Sequence, residues 1–306
     1  MKLVAILYLG AMVVVVLALL VRYFHARAGQ VDAGSFRGGR RLLTEHSAAP
    51  IADFSRIASI VDATTLRQRR VALYGAGSLG SWLAYFLSHL IGELRVVDSD
   101  VVESSNVVGG RTIYTHNHLG MRKSNALKQV LETGFPHLRV LAFCEDINGL
   151  SDSVLQDIMD GDLVICAVDD IRCILRINEL FYGHRPLLYG GFMRRAAEGF
   201  ACVATRETPC FRCCMQLDAE RFETLHREPG LGLDISTIAQ VMAKLAIAIL
   251  DQGETEFSQP IRSALREGKN LIHISNRLSL FGEPFSILWL TPDRRRCEIC
   301  NRHERR

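Results

Sequence analysis

Arg70-Val71-Ala72-Leu73-Tyr74-Gly75-Ala76-Gly77-Ser78-Leu79-Gly80 is the stretch on which the fold turns. Arg70 to Ala76 is a short run rich in strand formers that stops at glycine, and Ser81 to Ile91 carries apolar residues at helical spacing. Strand, glycine loop, helix is the context that gives G-x-G-x-x-G its meaning: Gly75, Gly77 and Gly80 permit a tight turn and close backbone approach. The helix N-terminus then offers free N–H groups and partial positive charge to a phosphate. The next strand, Glu93 to Val97, ends at Asp98, 18 residues after Gly80. A carboxylate at that distance hydrogen-bonds ribose hydroxyls in dinucleotide-binding sheets. Its plain alternative is a strand-end turn aspartate. Up to this point NAD and ATP fit equally well.

Working outward to the N-terminus, Leu3 to Val21 is uncharged and almost wholly apolar. A helix of about 20 residues spans a bilayer, so residues 1–24 are expected to form a transmembrane anchor. A cleavable signal peptide has a shorter apolar region, although Ala26-Arg27-Ala28 loosely offers a cleavage site. Lys2 precedes the span while Arg22, Arg27, Arg37, Arg40 and Arg41 follow it. The positive-inside tendency therefore places the body of the protein on the cytoplasmic side of a single-pass membrane protein. Residues 25–50, rich in Gly, Ala, Arg and Ser without period, read as a juxtamembrane linker, leaving 51–306 as the folded domain. The net charge of +3 is small, and Lys and Arg are not gathered into a dense run, so no nucleic-acid partner is expected.

Toward the C-terminus stand two C-x-x-C pairs, Cys210/Cys213 and Cys297/Cys300. Four soft thiolates on two knuckles suit a tetrahedral structural Zn2+ that ties a late element back to the body. Cys214 is an alternative to Cys213 in the tetrad. The remaining thiols, Cys144, Cys166, Cys173 and Cys202, lie in apolar surroundings and are expected to pack in the core. Nine cysteines, an odd number, do not suggest a secreted disulfide framework.

Three blocks carry a family resemblance. Asp98-Ser99-Asp100-Val101-Val102-Glu103-Ser104-Ser105-Asn106, then Gly120-Met121-Arg122-Lys123-Ser124-Asn125-Ala126, then the buried-strand pattern Asp162 to Val168 ending in Asp169-Asp170, follow one another in order. With the cysteine pairs they resemble the ThiF/MoeB family of adenylating enzymes, relatives of the ubiquitin-activating enzymes, over roughly residues 51 to 300. The resemblance implies ATP and Mg2+ as ligands, Gly75, Gly77, Gly80, Asp98 and Asp100 at the nucleotide, Lys123 on the phosphates, Asn106 near the β- and γ-phosphates, and Asp169 on the Mg2+. The plain readings are a first-turn surface lysine for Lys123 and a helix cap for Asp169. It also implies a homodimer acting on a ubiquitin-like or sulfur-carrier protein, whose C-terminal carboxylate becomes an acyl adenylate.

One position departs from the pattern. The family carries an arginine three residues after its asparagine, where this chain has Gly109; Arg111 follows two residues later and is the candidate replacement. Phe54-Ser55-Arg56 resembles the Y-S-R from which the family sends an arginine to the partner subunit's ATP, so Arg56 is the second candidate. No cysteine lies between Met215 and Gln252, where thioester-forming relatives keep theirs. The expected fold is a Rossmann-like, doubly wound, mostly parallel α/β sheet. A C-terminal antiparallel addition, including Gly199 to Thr205 and Phe285 to Leu290, completes it. The competing functions are an NAD-dependent oxidoreductase and a non-catalytic, ATP-binding membrane scaffold of the same fold.

Overall fold

The computed structural model describes residues 53–215, 228–251, 255–278, 282–292 and 297–300. The expected anchor and linker lie outside the described residues, which belong to one compact unit. Eight strands form one sheet: β1 (Arg70–Tyr74), β2 (Glu93–Val97), β3 (Arg139–Phe143), β4 (Leu163–Cys166), β5 (Leu187–Met193), β6 (Glu198–Ala204), β7 (Leu271–Ser275) and β8 (Ser286–Leu290). Their spatial order is β3-β2-β1-β4-β5-β6-β7-β8. The first five run parallel, and β6, β7 and β8 add on antiparallel. This is the mostly parallel sheet with an antiparallel addition that the sequence predicts. Strand order reverses between β1 and β4, and in open α/β sheets ligands bind outside the C-terminal strand ends at such a point.

The α-helices that accompany the sheet include α1 (Ala63–Leu66), α2 (Ser78–Ser88), α3 (Ser104–Val107), α4 (Lys123–Gly134), α5 (Asp152–Ile158), α6 (Ile171–Phe181), α7 (Phe211–Cys214), α8 (Gly232–Leu250) and α9 (Ser258–Arg266). One apolar core joins Leu79, Leu83 and Leu87 of α2 and Leu127 and Leu131 of α4 to Ile238, Met242 and Leu245 of α8 beneath one face of the sheet. A second core on the other face joins Leu155 of α5 and Ile174 and Ile177 of α6 to Tyr189 and to Phe211 of α7. Fully burying one such side chain stabilises by about 1.5–3 kcal/mol, so the two cores together hold the sheet from both sides.

α8 is long and apolar enough to cross a membrane by length and composition, yet most of it is buried inside the protein. Its closeness to the sheet depends on two strand glycines: a Cβ on Gly190 would meet the Met242 Sδ at 2.3 Å, and one on Gly199 the Ile238 Cδ1 at 2.7 Å. The helix thus sits where side chains would otherwise hold it off, and its apolar length is spent on a protein core.

Candidate nucleotide and metal sites

The glycine loop closes the C-terminal end of β1, and its three glycines have different jobs. Gly75 has φ +97°, a left-handed conformation that other residues avoid, and a Cβ there would lie 2.7 Å from the Ala167 carbonyl oxygen. A Cβ on Gly80 would fall 1.9 Å from the Gly75 oxygen, so this glycine lets α2 pack against the loop that starts it. Gly77 has nothing within 4 Å of its missing Cβ. That open face, at the N-terminus of α2, is the space a phosphate chain would fill.

Asp98 stands at the end of β2 and braces this loop. Its Oδ2 accepts the Ala76 N–H at 2.7 Å and its Oδ1 the Asp100 N–H at 2.8 Å. The carboxyl is buried, and burial pushes its pKa up while the Ala76 N–H and the nearby Lys123 charge pull it back. Each oxygen keeps a further lone pair for a ribose hydroxyl. Asp98 is therefore first a structural tie for the loop, beyond the ribose role expected of it.

Lys123 is the first residue of α4, and its N–H donates to the Asp100 carbonyl at 2.8 Å. Its Nζ pairs with the Asp100 Oδ2 at 2.7 Å, the lysine being 12% and the aspartate 53% exposed. The cation is thus sheltered while its partner carboxylate is half in water, an arrangement that a phosphate could displace. Asn106 lies on the short α3, where its Oδ1 accepts the Glu103 N–H at 2.9 Å in a capping box.

Asp169 follows β4 and is exposed, and it has no hydrogen-bond or ion partner among the described residues. The plain reading of Asp169 as the cap of the next helix does not hold: the cap is Asp170, whose Oδ1 accepts the Arg172 N–H at 2.9 Å. Capping at Asp170 leaves the Asp169 carboxylate available to a hard cation.

Arg111 returns toward the loop. Gly109 and Gly110 both have φ near +65°. A Cβ on Gly232 at the start of α8 would lie 1.9 Å from the Gly110 oxygen, so the turn is pressed against that helix. The Arg111 Nη2 then lies 3.5 Å from Ser78 Oγ, on the first turn of α2, and donates to the Glu228 carbonyl at 3.3 Å. Arg56 is exposed in the segment before β1, beside Phe54, whose ring carries the Arg67 guanidinium 4.7 Å from its centre. Arg67 packs on Gly92 at the N-terminal end of β2, the sheet edge opposite the glycine loop, so the structure does not bring Arg56 to its own chain's site.

Sequence reasoning missed Tyr114. Its buried hydroxyl donates to the Ala76 carbonyl at 2.7 Å and lies 3.2 Å from that of Lys123, joining the glycine loop to the head of α4. Burial raises its pKa well above the usual phenol value, so it stays a donor. Nothing in its local sequence marks it, because the link is made between segments distant in the chain.

The four-cysteine expectation is met by geometry. Cys210 Sγ lies 3.8 Å from Cys213 Sγ and 3.5 Å from Cys297 Sγ, and Cys213 Sγ lies 3.6 Å from Cys300 Sγ. All four ligand atoms lie within 4.8 Å of one another. A tetrahedral zinc with Zn–S bonds of about 2.3 Å places its sulfurs about 3.8 Å apart, so the cluster fits that ion. Hydrogen bonds to Cys210 and Cys300, with burial, hold the Cys213 thiol far above its usual range; a bound cation reverses that balance. Cys214 is excluded from the tetrad: its Sγ faces the Pro209 carbonyl at 3.5 Å and the Asn270 Nδ2 at 3.1 Å. Cys166, Cys173 and Cys202 are buried as expected, but Cys144 is only half-buried, with its Sγ 3.2 Å from Ser124 Oγ. It follows the last residue of β3 at the ligand-facing edge of the sheet, which opens it to solvent.

Comparison with known proteins places this geometry. The chain is 31% identical over 221 residues to the adenylyltransferase and sulfurtransferase UBA4 of Candida glabrata, covering 70% of this chain and 47% of that protein. It is 29% identical over 205 residues to the SAMP-activating enzyme E1 of Haloferax volcanii, covering 62% and 70% respectively. Ubiquitin-like modifier-activating enzyme 5 of Drosophila virilis matches at 26% over 208 residues, 63% of this chain and 52% of that protein. The chain thus spans about half the length of the first and third of these. In fold it is similar to E. coli MccB solved with ATP, with a TM-score of 0.62 at 17% identity over 78% of this chain and 68% of that one. The model of the ThiF family matches residues 51–273, and the chain belongs to that family.

Proposed function

We propose that this chain adenylates the C-terminal carboxylate of a ubiquitin-like or sulfur-carrier protein, using ATP and releasing pyrophosphate. One observation carries the reading: the open face of Gly77, the sheltered Lys123 ammonium and the free Asp169 carboxylate all stand at the C-terminal strand ends where strand order reverses. A carboxylate oxygen of the acceptor attacks the α-phosphorus, and a new C(O)–O–P bond forms. The bond from that phosphorus to the β-phosphate bridging oxygen breaks, and its electron pair leaves with pyrophosphate. The barrier is largely electrostatic. Lys123 exchanges Asp100 for phosphate oxygens, Arg111 adds a second cation beside Ser78, and Asn106 stands by. Asp169 would hold Mg2+, which when bound neutralises charge on the leaving pyrophosphate. The Cys210/Cys213/Cys297/Cys300 cluster would hold a structural Zn2+ with no part in the reaction.

A homodimer belongs to the same reading. Arg56 is exposed and remote from its own site, as an arginine serving a partner's ATP must be. Val108, Leu231 and Leu233 are exposed apolar side chains on the elements flanking Arg111, suited to cover by a second copy. Residues 1–24 are proposed as a single-pass anchor with the domain cytoplasmic, supported by the apolar run Leu3–Val21 and the arginines after it.

The test is ATP–pyrophosphate exchange by the full chain in detergent, offered a panel of ubiquitin-like proteins ending in glycine. Exchange is expected with one member, falling about 100-fold or more in Lys123→Ala and in Asp169→Ala. A protein whose melting temperature rises with NAD and not with ATP, and which exchanges with no acceptor, would overturn the reading.

A further inference from the structure

Three consecutive non-glycine residues, Arg194, Arg195 and Ala196, hold φ of 52°, 62° and 65°. Left-handed backbone is strained for L-residues with a Cβ, and a run of three needs surroundings that over-determine it. These residues make the turn between β5 and β6, where glycine or asparagine would ordinarily serve.

Several elements hold the turn. The Asn276 N–H donates to the Ala197 carbonyl at 2.8 Å, and its Nδ2 to the Ala196 carbonyl at 3.3 Å and to that of Asp234, in α8, at 3.1 Å. Glu228 Oε2 accepts the Arg195 N–H at 3.4 Å. Arg194 pairs with Glu198 at 3.0 Å, and Glu198 also takes Arg277. Ala196 is buried. What this framework leaves exposed is the Arg195 side chain, which has no hydrogen-bond or ion partner among the described residues.

Its place is specific. The turn follows β5, two strands from β1 in the order β1-β4-β5, and β5 runs four residues past Tyr189, which lies level with Tyr74, so the turn overhangs the glycine-loop end of the sheet, about 10 Å across and about 13 Å beyond it. Glu228, which holds the Arg195 backbone through its carboxylate, also takes Arg111 on its carbonyl, and Arg111 touches Ser78. The strained turn is thereby tied to the phosphate end of the site.

We propose that Arg195 is a binding residue for the acceptor: its guanidinium takes the acceptor's terminal carboxylate and sets it facing the α-phosphate. The inference rests on the adenylation reading. Arg194 and Arg277 are spent on Glu198, and Arg111 points at Ser78, which leaves Arg195 as the cation at this turn with its fork open. A planar guanidinium matches a carboxylate with two parallel hydrogen bonds, which a lysine ammonium cannot reproduce. Strain stored at a substrate contact gives the unfavourable backbone a purpose that a plain surface arginine would lack.

The experiment uses the full chain and the acceptor found by pyrophosphate exchange, with KM measured separately for acceptor and ATP in Arg195→Asn and Arg195→Lys. Asparagine tolerates left-handed backbone, so Arg195→Asn is expected to melt at or above the wild-type temperature. Its KM for the acceptor should rise about tenfold or more, with KM for ATP within about twofold; Arg195→Lys should recover part of the loss. An unchanged acceptor KM in Arg195→Asn overturns the inference. So does a lowered melting temperature with both KM values raised together, which would mark a structural arginine. A wild type that exchanges with no acceptor removes the adenylation reading itself and this inference with it, an outcome seen without any variant.

Discussion

Gly77→Ala and Gly80→Ala, three residues apart in one loop, should fail in opposite ways. At Gly80 the new Cβ would lie 1.9 Å from the Gly75 oxygen, so backbone and helix must separate by about 1 Å. Overpacking of this kind costs about 1–3 kcal/mol, and the upper end applies because the clash is with backbone, which has no rotamer to yield. For a domain of this size about 3 kcal/mol lowers the melting temperature by roughly 6–12 °C. At Gly77 the methyl meets nothing within 4 Å, and φ is −76°, which alanine adopts freely. The lower N-cap preference of alanine costs roughly 0.5–1 kcal/mol, and reduced freedom of the unfolded chain returns about 0.4–1 kcal/mol. The apo protein should melt within about 2 °C of wild type. The same methyl, however, stands where a phosphate must approach the backbone. ATP affinity should fall about 100-fold, near 2.7 kcal/mol. The assay is thermal denaturation with and without saturating ATP. Wild type gains stability with ligand, Gly77→Ala gains almost none, and Gly80→Ala starts low. Gly77→Ala binding ATP within threefold of wild type would refute the assignment of that open face to phosphate.

Three further outcomes are expected. Metal analysis should find one zinc per chain, lost in Cys213→Ser and Cys300→Ser but retained in Cys214→Ser, because the Cys214 thiol faces Asn270. Tyr114→Phe leaves the Ala76 carbonyl without its donor and should cost about 1 kcal/mol in denaturant unfolding, with weaker ATP binding as the loop loosens from α4. Arg111→Ala should lower exchange more than tenfold, and adding Gly109→Arg should not restore it, since φ of 65° is strained by about 1 kcal/mol or more for arginine.

The central sheet was legible because its strands announce themselves. β1 is followed by glycines and by a helix of clear period, and β2 ends on an aspartate at the spacing a nucleotide fold uses. β3 and β7 were not legible: Arg139–Phe143 and Leu271–Ser275 are five-residue runs too short for periodicity to separate strand from buried helix. Tertiary pairing with β2 and with β6 decides them. The same limit governs the site. Adjacent aspartates at 169 and 170 are equivalent as letters, and only the helix direction shows that Asp170 caps while Asp169 stays free.

Arg111 shows where reading by letters ends. The sequence displays the missing arginine at Gly109 and the replacement two residues on, but a side chain displaced by two residues would normally point elsewhere. Its return to Ser78 depends on two successive left-handed glycines pressed against Gly232, a backbone path that non-glycine residues would resist. The departure and its compensation are therefore one feature: the glycines that cost the chain its usual arginine are the ones that bring Arg111 back to the first turn of α2. A substitution that stiffens either glycine should thus reduce exchange as much as removing Arg111 does, though neither glycine carries charge. Gly110→Ala, with φ +65° and a Cβ position 4.0 Å from Gly232, isolates that backbone effect from crowding. Full exchange activity in Gly110→Ala would show that the arginine reaches the loop without the left-handed turn, and the argument would fail.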